Sequence, residues 1–177
     1  MKYRRANIKG GTYFFTVNMA DRKNTFLVDE FDKLRVSINK VKHRHPFVLD
    51  AMVVLPDHLH LMMTLHEGDN DFATRIMLFK SGFSRQIPKT EKINSSRESK
   101  RERGIWQRRY WEHLIHDETD FAKHVDYIHY NPVKHGYVER AVDWKFSTLH
   151  SYVKKGLLTA DWGCAEESLS MQLFGER

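Results

Sequence analysis

Along residues 11–19, "GTYFFTVNM", apolar side chains fall on alternate positions. Tyr13, Phe15, Val17 and Met19 share one face, which predicts a strand. The period then changes. In "VDEFDKLRVSINKVKHRHP" (28–46), Phe31, Leu34, Ile38 and Val41 recur at helical spacing, and Pro46 closes the element. "FVLDAMVVL" (47–55) is apolar and β-branched, as a central strand is. Pro56 and Asp57 make a turn, and "HLHLMMTL" (58–65) returns as the next strand. Residues 70–87 carry a second helical stripe of Phe72, Ile76, Phe79 and Phe83. Residues 88–104 hold almost no apolar side chain and read as a flexible basic loop. "IWQRRYWEHLIH" (105–116) predicts a fourth strand. A third helix follows over 117–132, with Asp117 or Thr119 as N-cap and Phe121, Val125 and Ile128 as its buried stripe. Beyond it, aromatic and basic residues alternate and give way to a polar tail.

The order β-α-β-β-α-β, followed by a helix, is the split βαβ, ferredoxin-like pattern. It predicts an α+β fold: a four-stranded antiparallel sheet with two helices on one face. We see no internal repeat, and expect one domain over 1–163 with a tail over 164–177.

Composition narrows the chemistry. The net charge of +6 favours a polyanionic partner without naming one. The single cysteine, Cys164, excludes an internal disulfide and a thiolate metal cage, and suggests a reducing compartment such as the cytoplasm. No apolar stretch approaches the roughly 20 residues of a membrane span, so no membrane association is expected. The opening "MKYRRANIKGG" is basic but has no apolar core, unlike a signal peptide.

His58 and His60 flank Leu59. In a strand they project to one side, while Leu59, Leu61, Met63 and Leu65 point to the two-helix core. Two imidazoles side by side on a rigid strand suit a divalent cation. They also suit a plain pair of half-buried polar residues. The Asp-His that metallo-hydrolases place after such a pair is missing, and so are further ligands at structural-zinc spacing. Two histidines need a third ligand from elsewhere.

The third helix can provide it. At about 100° per residue, His124, Tyr127 and Asn131 share one flank of the stripe, while Tyr130 falls opposite and should look to solvent. An Asn carbonyl is a reasonable ligand for Mg²⁺ or Mn²⁺. A tyrosine beside a metal-bound phosphate is a reasonable nucleophile, although a free phenol ionises only near pH ~10. Alternatively, Tyr127 packs at a helix edge, and Asn131, before Pro132, caps the helix.

"PDHLHLMM" resembles the histidine–hydrophobic–histidine (HUH) motif of single-tyrosine transposases. "HVDYIHYNPVKHGYV" resembles the tyrosine helix of one branch, the REP-associated tyrosine transposases. "YRRANIKGGTYFFTVNMADR", "WQRRYWEH" and "DWKFSTLHSYVKKG" are similar to further blocks of that branch, in the same order. The resemblance implies an HUH nuclease domain acting on single-stranded DNA hairpins. It implies Tyr127 as nucleophile and His58, His60 and Asn131 as ligands of Mg²⁺ or Mn²⁺. The implied reaction leaves a 5′-phosphotyrosine and a free 3′-hydroxyl. Members of mobile elements dimerise and exchange tyrosine helices; for this branch a monomer is slightly favoured. Two other readings remain: a hairpin-binding protein without catalysis, and a metal phosphodiesterase that activates water.

Nine basic and three acidic residues lie between Arg85 and Arg109. Arg85, Arg108 and Arg109 are candidate DNA contacts, the last two on the fourth strand between Trp106 and Tyr110, where rings could stack on bases. Arg4, Arg5 and Lys9 form a second basic cluster beside Gly10 and Gly11. The same charges could also simply be solvated. His113 on the fourth strand could orient a ligand or a phosphate, and His116, His124 and His135 stay without a role.

Overall fold

The computed structural model describes residues 7–91 and 93–163. Arg4, Arg5 and the tail over 164–177 therefore lie outside the described residues. Four strands, β1 (Thr12–Asn18), β2 (Phe47–Val54), β3 (His58–Leu65) and β4 (Trp111–Leu114), form one sheet in the order β2-β3-β1-β4. Every pairing is antiparallel. The helices are α1 (Phe26–Asp29), α2 (Phe31–Arg44), α3 (Phe72–Gln86), α4 (Ser95–Ser99), α5 (Glu118–Lys134) and α6 (Leu149–Lys154). The expected ferredoxin-like arrangement is present.

Alternation in β1 and β3 sorts the two faces. Tyr13, Phe15, Val17, Leu59, Leu61, Met63 and Leu65 pack with Leu34, Ile38, Ile76, Phe79 and Phe83 of α2 and α3. On the opposite face Phe14, Ala51, Val53 and Met62 pack against Val125, Tyr127 and Ile128 of α5. Both faces are thus covered, and β3 is buried along nearly its whole length. Arg75 is buried within the α3 layer, where it donates to the carbonyls of His45, Pro46 and Asp71 and pairs with Asp69. Those partners offset the cost of burying its charge.

Helix α5 begins where Asp117 accepts a 2.8 Å bond from the Asp120 N–H. It runs through Pro132 to Lys134, capped by the His135 N–H on the Asn131 carbonyl. Asn131 is therefore a helical residue and not the cap. Pro132 has no N–H to give the Ile128 carbonyl, so one bond of the α5 ladder is missing there. Tyr130 departs from expectation too: it is buried. The chain beyond α5 folds back, and a Cβ on Gly163 would stand 3.4 Å from the Tyr130 ring. The same returning segment lines the edge of β2, with the Trp144 indole N–H bonded to the Val54 carbonyl and the Thr148 N–H to that of Met52. That protects an exposed strand edge.

The fourth strand is shorter than its pattern predicts. Trp106 makes an isolated bridge to Met19 and is buried against Phe79 and Phe83, and regular pairing resumes only at Trp111. Arg108 and Arg109 thus lie in a loop before β4, not on it.

The basic segment 88–104 is tied down at two arginines. Arg103 pairs with Glu91 and donates to the carbonyls of Ile87 and Pro88, and Arg97 donates to those of Arg103 and Trp106. Hydrogen bonds from Arg103 hold the Glu91 carboxyl down at about 2. A depressed carboxylate stabilises the fold fully above its unfolded value near 4.5, and the contribution is lost as pH falls toward 2. Glu91→Gln is expected to mimic that loss at neutral pH. Trypsin should cut within 89–103 several times faster in the variant, while the global melting temperature moves by no more than a few degrees. Equal cleavage rates would mean that Glu91 does not pin the segment.

Candidate active site

His58 and His60 project from the centre of the sheet toward α5. Cross-strand register sets Asn18 beside His58, and Thr16 and Val53 on either side of His60. Both imidazoles are buried, with ring centroids 4.9 Å apart. Their Nδ1 atoms face different partners. His58 Nδ1 lies 2.7 Å from Asp57 Oδ1, and His60 Nδ1 lies 2.9 Å from Thr16 Oγ1. Nδ1 contacts of this kind fix the ring orientation and make Nε2 the ligating nitrogen. Asp57 also pairs with Arg22. Burial works against its charge, but the His58 imidazole and Arg22 outweigh it and hold its carboxyl below the usual range.

Helix α5 brings a second set to the same place. The Tyr127 ring stands 5.2 Å from that of His60 and 5.9 Å from that of Phe14. One helical step of eight residues further, the His135 ring stands 5.4 Å from that of His58. Asn131 lies midway on this face, four residues from each. It is fully buried, and among the described residues neither its amide oxygen nor its amide nitrogen has a hydrogen-bond partner. A buried amide without partners costs about 1–3 kcal/mol. A cation shared with the histidine pair would satisfy its oxygen, so the residues present fit a hard divalent ion. Lys134 Nζ lies 4.8 Å from the centroid of the Tyr127 ring, which adds positive charge beside the phenol.

Comparison with known proteins gives the family. Residues 8–131 match the family model described as "Transposase IS200 like". The chain belongs to the IS200-like transposase family. Within it, the REP-associated tyrosine transposase of Escherichia coli is 45% identical over 161 residues, covering 91% of this chain and 90% of that protein. A Haemophilus influenzae protein assigned to the same group is 48% identical over 162 residues, covering 91% and 92%. A solved structure of a REP-associated tyrosine transposase bound to a REP hairpin superposes with a TM-score of 0.83 at 42% identity, covering 100% of this chain and 98% of that one. The expectation of a REP-associated tyrosine transposase is borne out.

The candidate DNA contacts of this transposase scatter. Lys9 is exposed but precedes β1, at the end of the sheet away from His58. Arg85 is exposed on α3, in the layer across the sheet from α5, and bonds Ser81. The Arg108–Arg109 loop is nearer, because the neighbouring Gln107 N–H bonds the carbonyl of Asn18, the residue opposite His58. Arg108 pairs with Glu102, and Arg109 is exposed. The stacking expectation needs correction. Trp106 is a core residue and Tyr110 packs edge-on against Phe15. The exposed ring is Trp111, 52% accessible, which stands across from Thr16 beside His60. Composition alone could not choose among Trp106, Tyr110 and Trp111; strand parity could, once the start of β4 is known.

Asp57 and His135 carry no role in the sequence reading. The signal for Asp57 was its place directly before the first histidine; for His135 it was the i+4 spacing from Asn131. Asp57→Asn is expected to weaken metal-dependent cleavage about 10–100-fold, since it removes the charge that orients His58. Metal titration of the cleavage rate should show a higher half-saturating concentration with the fold unchanged. An unaltered metal dependence would remove Asp57 from the site.

Proposed function

We propose that this transposase cleaves and rejoins single-stranded DNA at REP-like hairpins through a covalent 5′-phosphotyrosine on Tyr127. His58, His60 and Asn131 would hold Mg²⁺ or Mn²⁺. The observation that carries the reading is the contact of the Tyr127 and His60 rings within one chain, beside the unsatisfied amide of Asn131. When bound, the ion neutralises the scissile phosphate and makes its phosphorus more electrophilic.

The chain's own residues account for the remaining steps. Tyr127 Oη forms a bond to phosphorus and the bond from phosphorus to the 3′-oxygen breaks. The phenolic proton passes to solvent, and the departing oxygen takes up a proton to become a 3′-hydroxyl. A 3′-hydroxyl attacking the same phosphorus reverses these changes and rejoins strands, releasing the tyrosine. The phosphodiester energy is kept in the tyrosine ester, so no other energy source is needed. Lys134 holds positive charge beside the Tyr127 ring, close to the charge that develops on the phosphate, and Asp57 keeps His58 oriented. Arg108, Arg109 and Trp111 offer phosphate contact and base stacking at the near edge, with Arg85 and Lys9 as outer contacts; Arg4 and Arg5, outside the described residues, are proposed as contacts from their charge alone.

Because Tyr127 meets His60 of its own chain, a single copy can complete the site, in line with a monomer. Among the described residues no helix is long and apolar enough to cross a membrane, and we place the reaction in the cytoplasm. The test uses end-labelled single-stranded hairpins from the flanking DNA of the gene, with Mg²⁺ or Mn²⁺, resolved on denaturing gels. A labelled protein adduct that a chelator abolishes is the expected result. Binding without cleavage on every flanking hairpin would favour a non-catalytic DNA-binding role.

A further inference from the structure

A second group of ligand-type side chains sits where β4 meets the start of α5. His113 Nε2 lies 2.9 Å from one carboxylate oxygen of Asp120, and His124 Nδ1 lies 3.0 Å from the other. The two imidazoles stack at 4.7 Å with an interplanar angle of 17°. One ligand atom from each residue fits within a 4.8 Å span. His124 is buried, His113 and Asp120 are half-buried, and Trp111 stacks on His113 at 5.9 Å. His116 adds a third imidazole, its ring 5.6 Å from that of His113, while its backbone N–H donates to Asp120.

We propose that His113, Asp120 and His124 form a second metal site, for a borderline divalent ion such as Zn²⁺, separate from the histidine pair on β3. Two imidazoles and one carboxylate are a common zinc donor set, with the fourth position left to water. Tetrahedral zinc holds its nitrogen and oxygen ligands about 3.3 Å apart, from bond lengths near 2.0–2.1 Å. His113 Nε2 and His124 Nδ1 meet different oxygens of Asp120, at 2.9 and 3.0 Å, and one ligand atom from each residue lies within 4.8 Å of the others, so an ion draws them onto one carboxylate oxygen by shifts of about an ångström. As the ion enters, each ligating nitrogen gives up its contact with Asp120, for His124 Nδ1 including 2.8 Å to the Asp120 carbonyl, and the ring proton moves to the other nitrogen. Borderline Zn²⁺ suits this nitrogen-rich set, whereas the amide oxygen of Asn131 suits a hard ion.

The role is to brace the tyrosine helix. His113 belongs to β4, while Asp120 and His124 belong to the first two turns of α5. Tyr127 follows one turn later, and Phe14 touches both the His124 and Tyr127 rings. An ion here would pin α5 to the sheet edge without touching the reacting phosphate.

The test titrates Zn²⁺ into the H58Q/H60Q protein, followed by equilibrium dialysis and thermal melting. One ion per chain is expected, with a rise in Tm of about 5–10 °C at a hundredfold excess over Kd. Adding His113→Gln should remove both the ion and the rise. The unaltered protein gives a reading that no substitution can spoil: Co²⁺ should shift the ring-proton resonances of His113 and His124. Retention of the ion after His113→Gln, or Co²⁺ shifts confined to the surroundings of His58 and His60, would overturn the proposal.

Discussion

Tyr127→Phe is expected to abolish the covalent protein–DNA adduct and to lower strand cleavage by about 10⁴-fold or more, the scale on which removing a nucleophile acts. Hairpin affinity should stay within about twofold, because the variant deletes one oxygen and no charge. The ring that packs against His60, Phe14 and Lys134 remains. The fold should therefore persist, with Tm within a few degrees of the parent. Three measurements separate the outcomes: adduct on a denaturing gel, total cleavage, and hairpin binding. Cleavage that continues with no adduct in either protein would identify water as the nucleophile, and Tyr127 as a packing residue.

Which of these residues share a face is legible in the sequence, and the reason is local; the role of Tyr127 as nucleophile is what the resemblance implies. Parity along "HLHLMM" sends His58 and His60 to one face whatever the rest of the chain does. Spacing along a helix likewise puts Tyr127 and Asn131 on one flank. Both statements rest on periods fixed by backbone geometry. The misreadings came from positions whose environment is set by distant segments. Tyr130 faces away from the sheet as its angle requires, but the returning chain near Gly163 covers it. Trp106 has the alternation of a strand residue, yet the room left between Phe79 and Phe83 draws it into the core and delays β4. The segment 88–104 has the composition of a solvated loop. What ties it down is Arg97 and Arg103 binding backbone carbonyls, and a binding arginine looks like any other in a sequence. His135 was hidden for another reason: a helix expected to stop at Pro132 does not present it to His58.

His60→Gln should be the second largest effect: a loss of metal-dependent cleavage of about 10³-fold, as fits the several kcal/mol of charge stabilisation a catalytic ion supplies. His60 occupies the central crossing of the sheet, between Thr16 and Val53, with no solvent exposure. Glutamine can still meet Thr16 but replaces a good nitrogen donor with an amide. The stability cost should be small, about 1–2 kcal/mol, the scale of one rearranged buried hydrogen bond. The variant also behaves differently from Tyr127→Phe. A weakened site still fills at high ion concentration, and Mn²⁺, which binds nitrogen ligands more tightly than Mg²⁺, should restore part of the cleavage and the adduct with it. No concentration of either ion should restore Tyr127→Phe. If Mn²⁺ rescues neither variant, His60 does more than hold the ion; if His60→Gln cleaves normally in Mg²⁺, the ion is not held by His60.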